Sequence, residues 1–309
     1  MLAAASVKKI YFLGIGGIGM SALARYFMLK DVKVFGYDRT STPLTRLLEK
    51  EGAVIHYEEN PLKIPADIDL VIYTPAIPAD NKEWEYIRSL NVPVKKRAVV
   101  LGEIAQKYST VAVAGTHGKT STASMTAFLL NEGGVRCNAF LGGISKNIQS
   151  NFVYNKNAKF CVVEADEYDR SFLQLHPDYS IITSADDDHL DIYKTSDEVK
   201  NAYAQFANQT KKLIVAKKGL QDILKVENVC TYSLHKGDAI AKNIRIENGT
   251  YIFDYICGDT VITDLSLNGC GEYNVENAIA AITIALKTGV KADGIKRALP
   301  LFTGVARRF

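Results

Sequence analysis

The sequence predicts an α/β protein with two parallel-sheet domains, the second larger and finished by an antiparallel hairpin meander. Three observations predict it. Glycine-rich turns at residues 14–19 and 115–118 each separate a short apolar run from a helix-patterned one. Residues 244–267 alternate apolar with polar between two tight-turn signals, Asn248-Gly249 and Gly258-Asp259.

Bulk properties narrow the class. A chain of 309 residues, 47% hydrophobic and 23% charged, is long enough for two cores. Its net charge is +3 and its longest basic cluster is 95–97, so neither nucleic acid nor membrane insertion is expected. Cys137, Cys161, Cys230, Cys257 and Cys270 show no C-x-x-C spacing and read as reduced packing residues. The opening MLAAASVKK is too short and too weakly apolar for a signal peptide, and a cytoplasmic small-molecule enzyme is expected.

In chain order, residues 9–13 read as a strand, 14–19 as G-x-G-x-x-G, and 20–29 as a helix. A second strand, 33–37, ends at Asp38, about 20 residues past the glycines, where an acid in such a unit meets a ribose hydroxyl. A helix over 43–51 and strands at 54–56 and 70–73 complete a Rossmann-like parallel-sheet domain, assigned to 1–107. Alone, the unit suggests NAD. Its glycines, however, recognise a pyrophosphate by backbone, and a UDP-sugar carries one too. An amphipathic helix at 98–109 leads into the second domain, 108–300, a P-loop α/β ATPase domain.

That domain is organised around TVAVAGTHGKTST, residues 110–122, which reads as strand, phosphate loop and helix. Gly115, Thr116 and Gly118 lie where backbone N–H groups can face anionic oxygens. Lys119 supplies a point charge for the β and γ phosphates, and the hydroxyl of Thr120 or Ser121 a ligand for Mg²⁺. Only two residues separate the glycines, so the loop departs from G-x-x-x-x-G-K-[ST]. A helix over 121–131 stops at Gly133-Gly134, and a strand at 138–141 ends in Gly142-Gly143. The apolar strand 160–163 delivers Glu164, a hard oxygen at a parallel strand's carboxyl end, as the second Mg²⁺ ligand. After strand 179–183 comes an acidic loop in which His189 is a candidate metal ligand, with Asp186, Asp187 and Asp188 read as capping and solvated charge. A helix at 196–208, strands at 212–216 and 229–231, the meander, a helix ending at Lys287 and a last helix at 292–299 follow.

GTHGKTS at 115–121 resembles the Mur ligases, ATP-dependent enzymes that add amino acids to a UDP-linked cell-wall precursor. EADEYD (164–169), DHLDIY (188–193) and YNVENA (273–278) follow in the family's order, and the resemblance covers essentially the whole chain. It implies ATP and Mg²⁺ as cofactors. It implies that Gly14, Gly16, Gly17, Ile18 and Gly19 lie near the substrate diphosphate, Asp38 near the nucleoside, and Thr74 and Arg97 in the same uridine-nucleotide site. It implies one Mg²⁺ on Thr120 and Glu164, a second ion served by His189, and His117 placed to steer either the phosphate or that ion. Asn274 and Asn277 are implied at the adenine; Asn268 and Tyr273 replace the family's proline and histidine there.

Within the family, GIGGIGMSALA is most similar to members that join L-alanine to UDP-N-acetylmuramate through an acyl phosphate. A ligase that recycles a whole tripeptide onto the same sugar shares EADEYD and is the alternative. A nicotinamide dehydrogenase and a non-catalytic nucleotide-binding module are the readings from other classes. Residues 301–309 are expected to lead to a third domain that grips the amino acid, and this chain alone is therefore expected to be poorly active.

Overall fold

The computed structural model describes residues 7–186, 193–269 and 271–306. It divides into two compact units, residues 1–104 and 105–309.

In the first unit, β1 (Lys9–Leu13), α1 (Ile18–Met28), β2 (Lys33–Tyr37), α2 (Pro43–Glu51) and β3 (Val54–His56) alternate as expected. They are followed by β4 (Leu70–Tyr73), α3 (Lys82–Ser89), β5 (Val94–Lys96) and α4 (Arg97–Ala105). The five strands are all parallel, in the order β3-β2-β1-β4-β5. Order reverses at β1, so the turn after β1 and the segment after β4 open on the crevice where such sheets bind nucleotides. Thr42 caps α2 reciprocally with Thr45, and Pro43 opens the helix.

The pair α3 and β5 is invisible to hydrophobic periodicity. In KEWEYIRS only Glu83 and Ile87 are buried, and the buried acid masks the apolar face. Glu83 Oε1 contacts His56 Nε2 at 2.7 Å and accepts from Asn60 N at 2.9 Å, while Oε2 accepts from the Tyr11 hydroxyl. Burial, and next the Glu83 charge, push the Tyr11 phenol far above its usual range, so it remains a donor.

The second unit holds a ten-stranded sheet in the order β15-β14-β13-β12-β11-β10-β6-β9-β7-β8. Its first half contains β6 (Ser109–Ala114), α5 (Lys119–Glu132), β7 (Cys137–Ser145), β8 (Ser150–Val153), β9 (Phe160–Glu164) and β10 (Tyr179–Ile182). Next come α6 (Ser196–Asn208), β11 (Leu213–Lys217), α7 (Gln221–Leu224) and β12 (Val229–Tyr232). The meander is β13 (Ala239–Glu247), β14 (Thr250–Cys257) and β15 (Thr260–Asn268), before α8 (Glu272–Lys287) and α9 (Ala292–Ala298). Strands β7, β9, β6, β10, β11 and β12 run parallel, and β13–β14–β15 antiparallel. Asn248 and Gly249 both take positive φ, the mirror-image turn that a two-residue hairpin needs.

Helices α5 and α8 pack together on the sheet, and their apolar faces join β6, β7 and β9 in one core. That core fixes the amino ends of both helices beside the carboxyl end of β6.

One sequence expectation changes here. Strand β7 does not end at Gly142-Gly143 but runs through them to Ser145 and turns back as β8, which had not been foreseen. The glycines permit close approach: a Cβ on Gly142 would lie 2.3 Å from Glu164 Oε2, and one on Gly143 3.0 Å from Thr120 Cγ2. The stretch 301–306 is hydrogen-bonded to β7 and the turn that follows it. Ala306 N donates to Ile144 O at 2.8 Å, Lys146 N to Gly304 O at 2.9 Å, and Asn147 Nδ2 to Leu301 O at 2.8 Å.

Candidate functional site

Between β6 and α5 the chain turns at Gly115. Gly115 has φ +135° and its Cα faces Thr183, whose Oγ1 would stand 2.1 Å from any Cβ, so no side chain fits. Thr183 Oγ1 donates to His117 O, and His117 N donates to Ser184 Oγ at 3.0 Å. Thr116 Oγ1 accepts from Asp186 N at 3.0 Å. The end of β10 therefore braces the loop, and His117 presents an exposed ring from a fixed backbone.

Gly118 is the N-cap of α5 and has no side chain to occupy the first-turn N–H groups, and that turn holds no acid. The helix's positive end is thus left for an anion. Its first residue, Lys119, buries its stem and directs Nζ to Gly115 O at 2.7 Å and to both oxygens of Glu167 at 2.8 Å. Thr120 Oγ1 donates to Glu164 Oε1 at 3.0 Å, and Glu164 Oε2 accepts from Gly142 N at 2.7 Å. The register that pairs Glu164 with Val113 carries the carboxylate to the mouth of the loop. Ser121 is half-buried in the same helical turn.

Asn277, in α8, is buried, and its Oδ1 would lie 3.0 Å from a Cβ on Gly118, which puts it against the loop. Asn274 sits one turn earlier on the same helix face, half-buried, its amide near Gly269.

The run EADEYD sorts its acids by direction. Glu164 takes Thr120, Glu167 takes Lys119, and Asp169 and Arg170 adopt positive φ at a kink. Arg170 then pairs with Glu198 at 2.8 Å and stacks over Tyr193. The Tyr193 hydroxyl donates to Glu167 O at 2.6 Å, and burial pushes that phenol up to about 12, which keeps its proton in place at neutral pH. Sequence reasoning did not single out Glu167, Thr183, Ser184 or Tyr193. Tyr193 is the last residue of DHLDIY; Glu167 was one acid among four. His189 lies outside the described residues.

Mg²⁺ usually takes one or two protein oxygens and completes its shell with phosphate and water. Thr120 Oγ1 and Glu164 Oε1, in contact beside an uncapped helix end, fit that demand. Among the described residues no group of three or more His, Cys, Asp or Glu gathers as a metal cage.

In the first unit the structure gathers Gly14, Gly16, Gly19, Asp38, Thr74 and Arg97 around the turn after β1. Gly14 N and Ile15 N donate to Tyr37 O, and a Cβ on Gly14 would meet Thr74 Cγ2 at 2.7 Å. Gly17 is the N-cap of α1 and Ile18 its first residue, with no acid in that turn. Arg97 lies along α1, a terminal nitrogen 2.8 Å from where a Cβ on Gly19 would be. Asp38 Oδ2 accepts from Gly16 N at 2.7 Å and Oδ1 from Thr40 N at 3.2 Å. The acid expected at a nucleoside thus also braces the glycine turn.

A dinucleotide-type turn in one unit, and in the other a phosphate loop with a lysine, a hydroxyl and a carboxylate, have the form of nucleotide-binding sites. Residues 9–109 match the Mur ligase family, catalytic domain, and residues 113–285 the Mur ligase middle domain. The chain belongs to the Mur ligase family. It is 44% identical over 315 residues to the UDP-N-acetylmuramate–L-alanine ligase of Phocaeicola vulgatus, covering 98% of this chain and 69% of that protein. Its fold superposes on the UDP-N-acetylmuramate-alanine ligase of Thermotoga maritima with a TM-score of 0.88 at 31% identity, covering 97% of this chain and 70% of that one. The UDP-N-acetylmuramate:L-alanyl-γ-D-glutamyl-meso-diaminopimelate ligase of Neisseria meningitides gives the same TM-score, 0.88, at 25% identity, covering 98% of this chain and 100% of that one.

Proposed function

We propose that this chain serves the ATP-dependent joining of L-alanine to UDP-N-acetylmuramate in the cytoplasm, a step of peptidoglycan precursor synthesis. The observation that carries the chemistry is the Thr120–Glu164 pair beside Lys119 at the uncapped end of α5. The choice of substrates rests on identity: 44% and 31% to two alanine ligases against 25% to the tripeptide ligase.

In this reading the described residues hold and neutralise, and none serves as a covalent nucleophile. The lactyl carboxylate takes the terminal phosphoryl group of ATP and releases ADP, and the alanine amine then attacks the acyl carbon, forming the amide and releasing inorganic phosphate. Phosphoryl transfer asks for positioning and charge neutralisation. Lys119 and the α5 amino end take up phosphate charge; Thr120 and Glu164 would hold Mg²⁺. Asn274 and Asn277, with amide donors and acceptors, suit an adenine edge. In the first unit, the Gly14–Gly19 turn and the α1 amino end take the diphosphate, with Asp38, Thr74 and Arg97 around it.

The test is ADP release by the protein with UDP-N-acetylmuramate, offered either L-alanine or the tripeptide. Alanine-dependent release supports the proposal. Release with the tripeptide alone favours the recycling ligase, and NADH binding with no uridine-nucleotide binding favours a dehydrogenase.

A further inference from the structure

An ammonium group has three protons to donate, and in Lys119 all three are used: one by Gly115 O and two by Glu167. Glu167 is 3% exposed, and its backbone oxygen is held by the Tyr193 hydroxyl. The positive charge that the phosphate loop would offer a nucleotide is thus already neutralised from within. A phosphate oxygen can bond to Lys119 only by taking a donor from Gly115 O or from Glu167, and two of the three donors are held by Glu167. The released carboxylate, still buried, then faces the phosphate as a like charge, and burial makes that costly. A divalent cation arriving with the nucleotide removes the penalty, because it neutralises both anions.

We infer that Glu167 is an internal counter-ion of Lys119, bound there in place of phosphate, and that it makes the loop select metal-complexed over bare nucleotide. It is a positioning residue acting through Lys119. The inference rests on the nucleotide reading proposed above.

Calorimetric titration of the chain with ATP, in Mg²⁺ and in EDTA, tests it on the parent, Glu167→Gln and Glu167→Asp. Removing the charge in Glu167→Gln is expected to tighten ATP binding in EDTA by about tenfold, the scale of one buried charge contact, and in Mg²⁺ by less than about threefold. Glu167→Asp keeps the charge and is expected to retain the parent's preference for Mg²⁺. If Glu167→Gln does not melt cooperatively, Glu167→Ala, which also removes the charge, is titrated and the same shifts are expected. Unchanged or weaker binding in EDTA, equal tightening in both conditions, or an aspartate variant that behaves like glutamine overturns the inference alone. A parent that binds ATP in neither condition overturns the nucleotide reading and this inference with it.

Discussion

Thr120 Oγ1 stands 3.0 Å from Glu164 Oε1, although the two residues come from different elements, the first turn of α5 and the end of β9. They meet because β9 lies beside β6 and its register ends one residue short of the phosphate loop. Hydroxyl and carboxylate together form the hard-oxygen pair to which the proposed reading assigns Mg²⁺.

Glu164→Gln is expected to weaken nucleotide binding in Mg²⁺ far more than binding in EDTA. A charged metal ligand contributes more than the roughly 1 kcal/mol of a neutral hydrogen bond. Titration with ATP in both conditions checks this. Equal Mg-ATP affinity for variant and parent would move the ligand elsewhere, first to Asp166.

Gly142→Ala should mimic that defect without replacing a ligand. The new Cβ would lie 2.3 Å from Glu164 Oε2, so the carboxylate must swing away from Thr120 or β7 must shift. Overpacking of this kind costs about 1–3 kcal/mol. A Mg²⁺-dependent loss of ATP affinity, with a fall of several degrees in melting temperature, is the expected outcome, measured by calorimetry and thermal denaturation.

Glu83→Gln should destabilise the first unit. The buried carboxylate accepts from Tyr11 and Asn60 and contacts His56, and an amide presents two donors where acceptors are needed. A loss of about 1–3 kcal/mol, the cost of leaving buried polar groups mismatched, is expected in urea denaturation. Glu83→Asp, which keeps the charge but shortens the reach, should lose a similar amount. An unchanged midpoint for both variants would show that the cluster contributes nothing to the fold.

The sequence marked those sites unevenly. Both glycine turns and the meander were legible because each rests on local rules: strand, turn and helix in one short window. Glu164 was legible for the same reason, as the acid at the end of an apolar strand. Glu167 was not, since only the kink at Asp169 and Arg170, with Tyr193 closing over it, turns that carboxylate toward Lys119. Helix α3 was hidden because its buried face carries an acid whose partners, Tyr11, His56 and Asn60, lie far away in sequence. Asp38 was read as a nucleoside contact from spacing, while its hydrogen bond to Gly16 N depends on how β1 and β2 pair.

Asp38→Ala should therefore act twice. Loss of the Gly16 N–H acceptor loosens the turn, which lowers the melting temperature of the first unit, and the same loosening weakens uridine-nucleotide binding. Asp38→Asn retains an acceptor oxygen and should recover most of the stability. Thermal denaturation with and without UDP-N-acetylmuramate separates the two effects.

The central claim is that the first unit's glycine turn holds a uridine sugar nucleotide and the second unit's loop holds Mg-ATP. The most direct measurement is calorimetric titration of the chain with UDP-N-acetylmuramate, NADH and Mg-ATP in turn. One site each for the sugar nucleotide and Mg-ATP is the predicted result, with Lys119→Ala abolishing only the second and NADH giving no heat. Saturable NADH binding with no heat from UDP-N-acetylmuramate would contradict it.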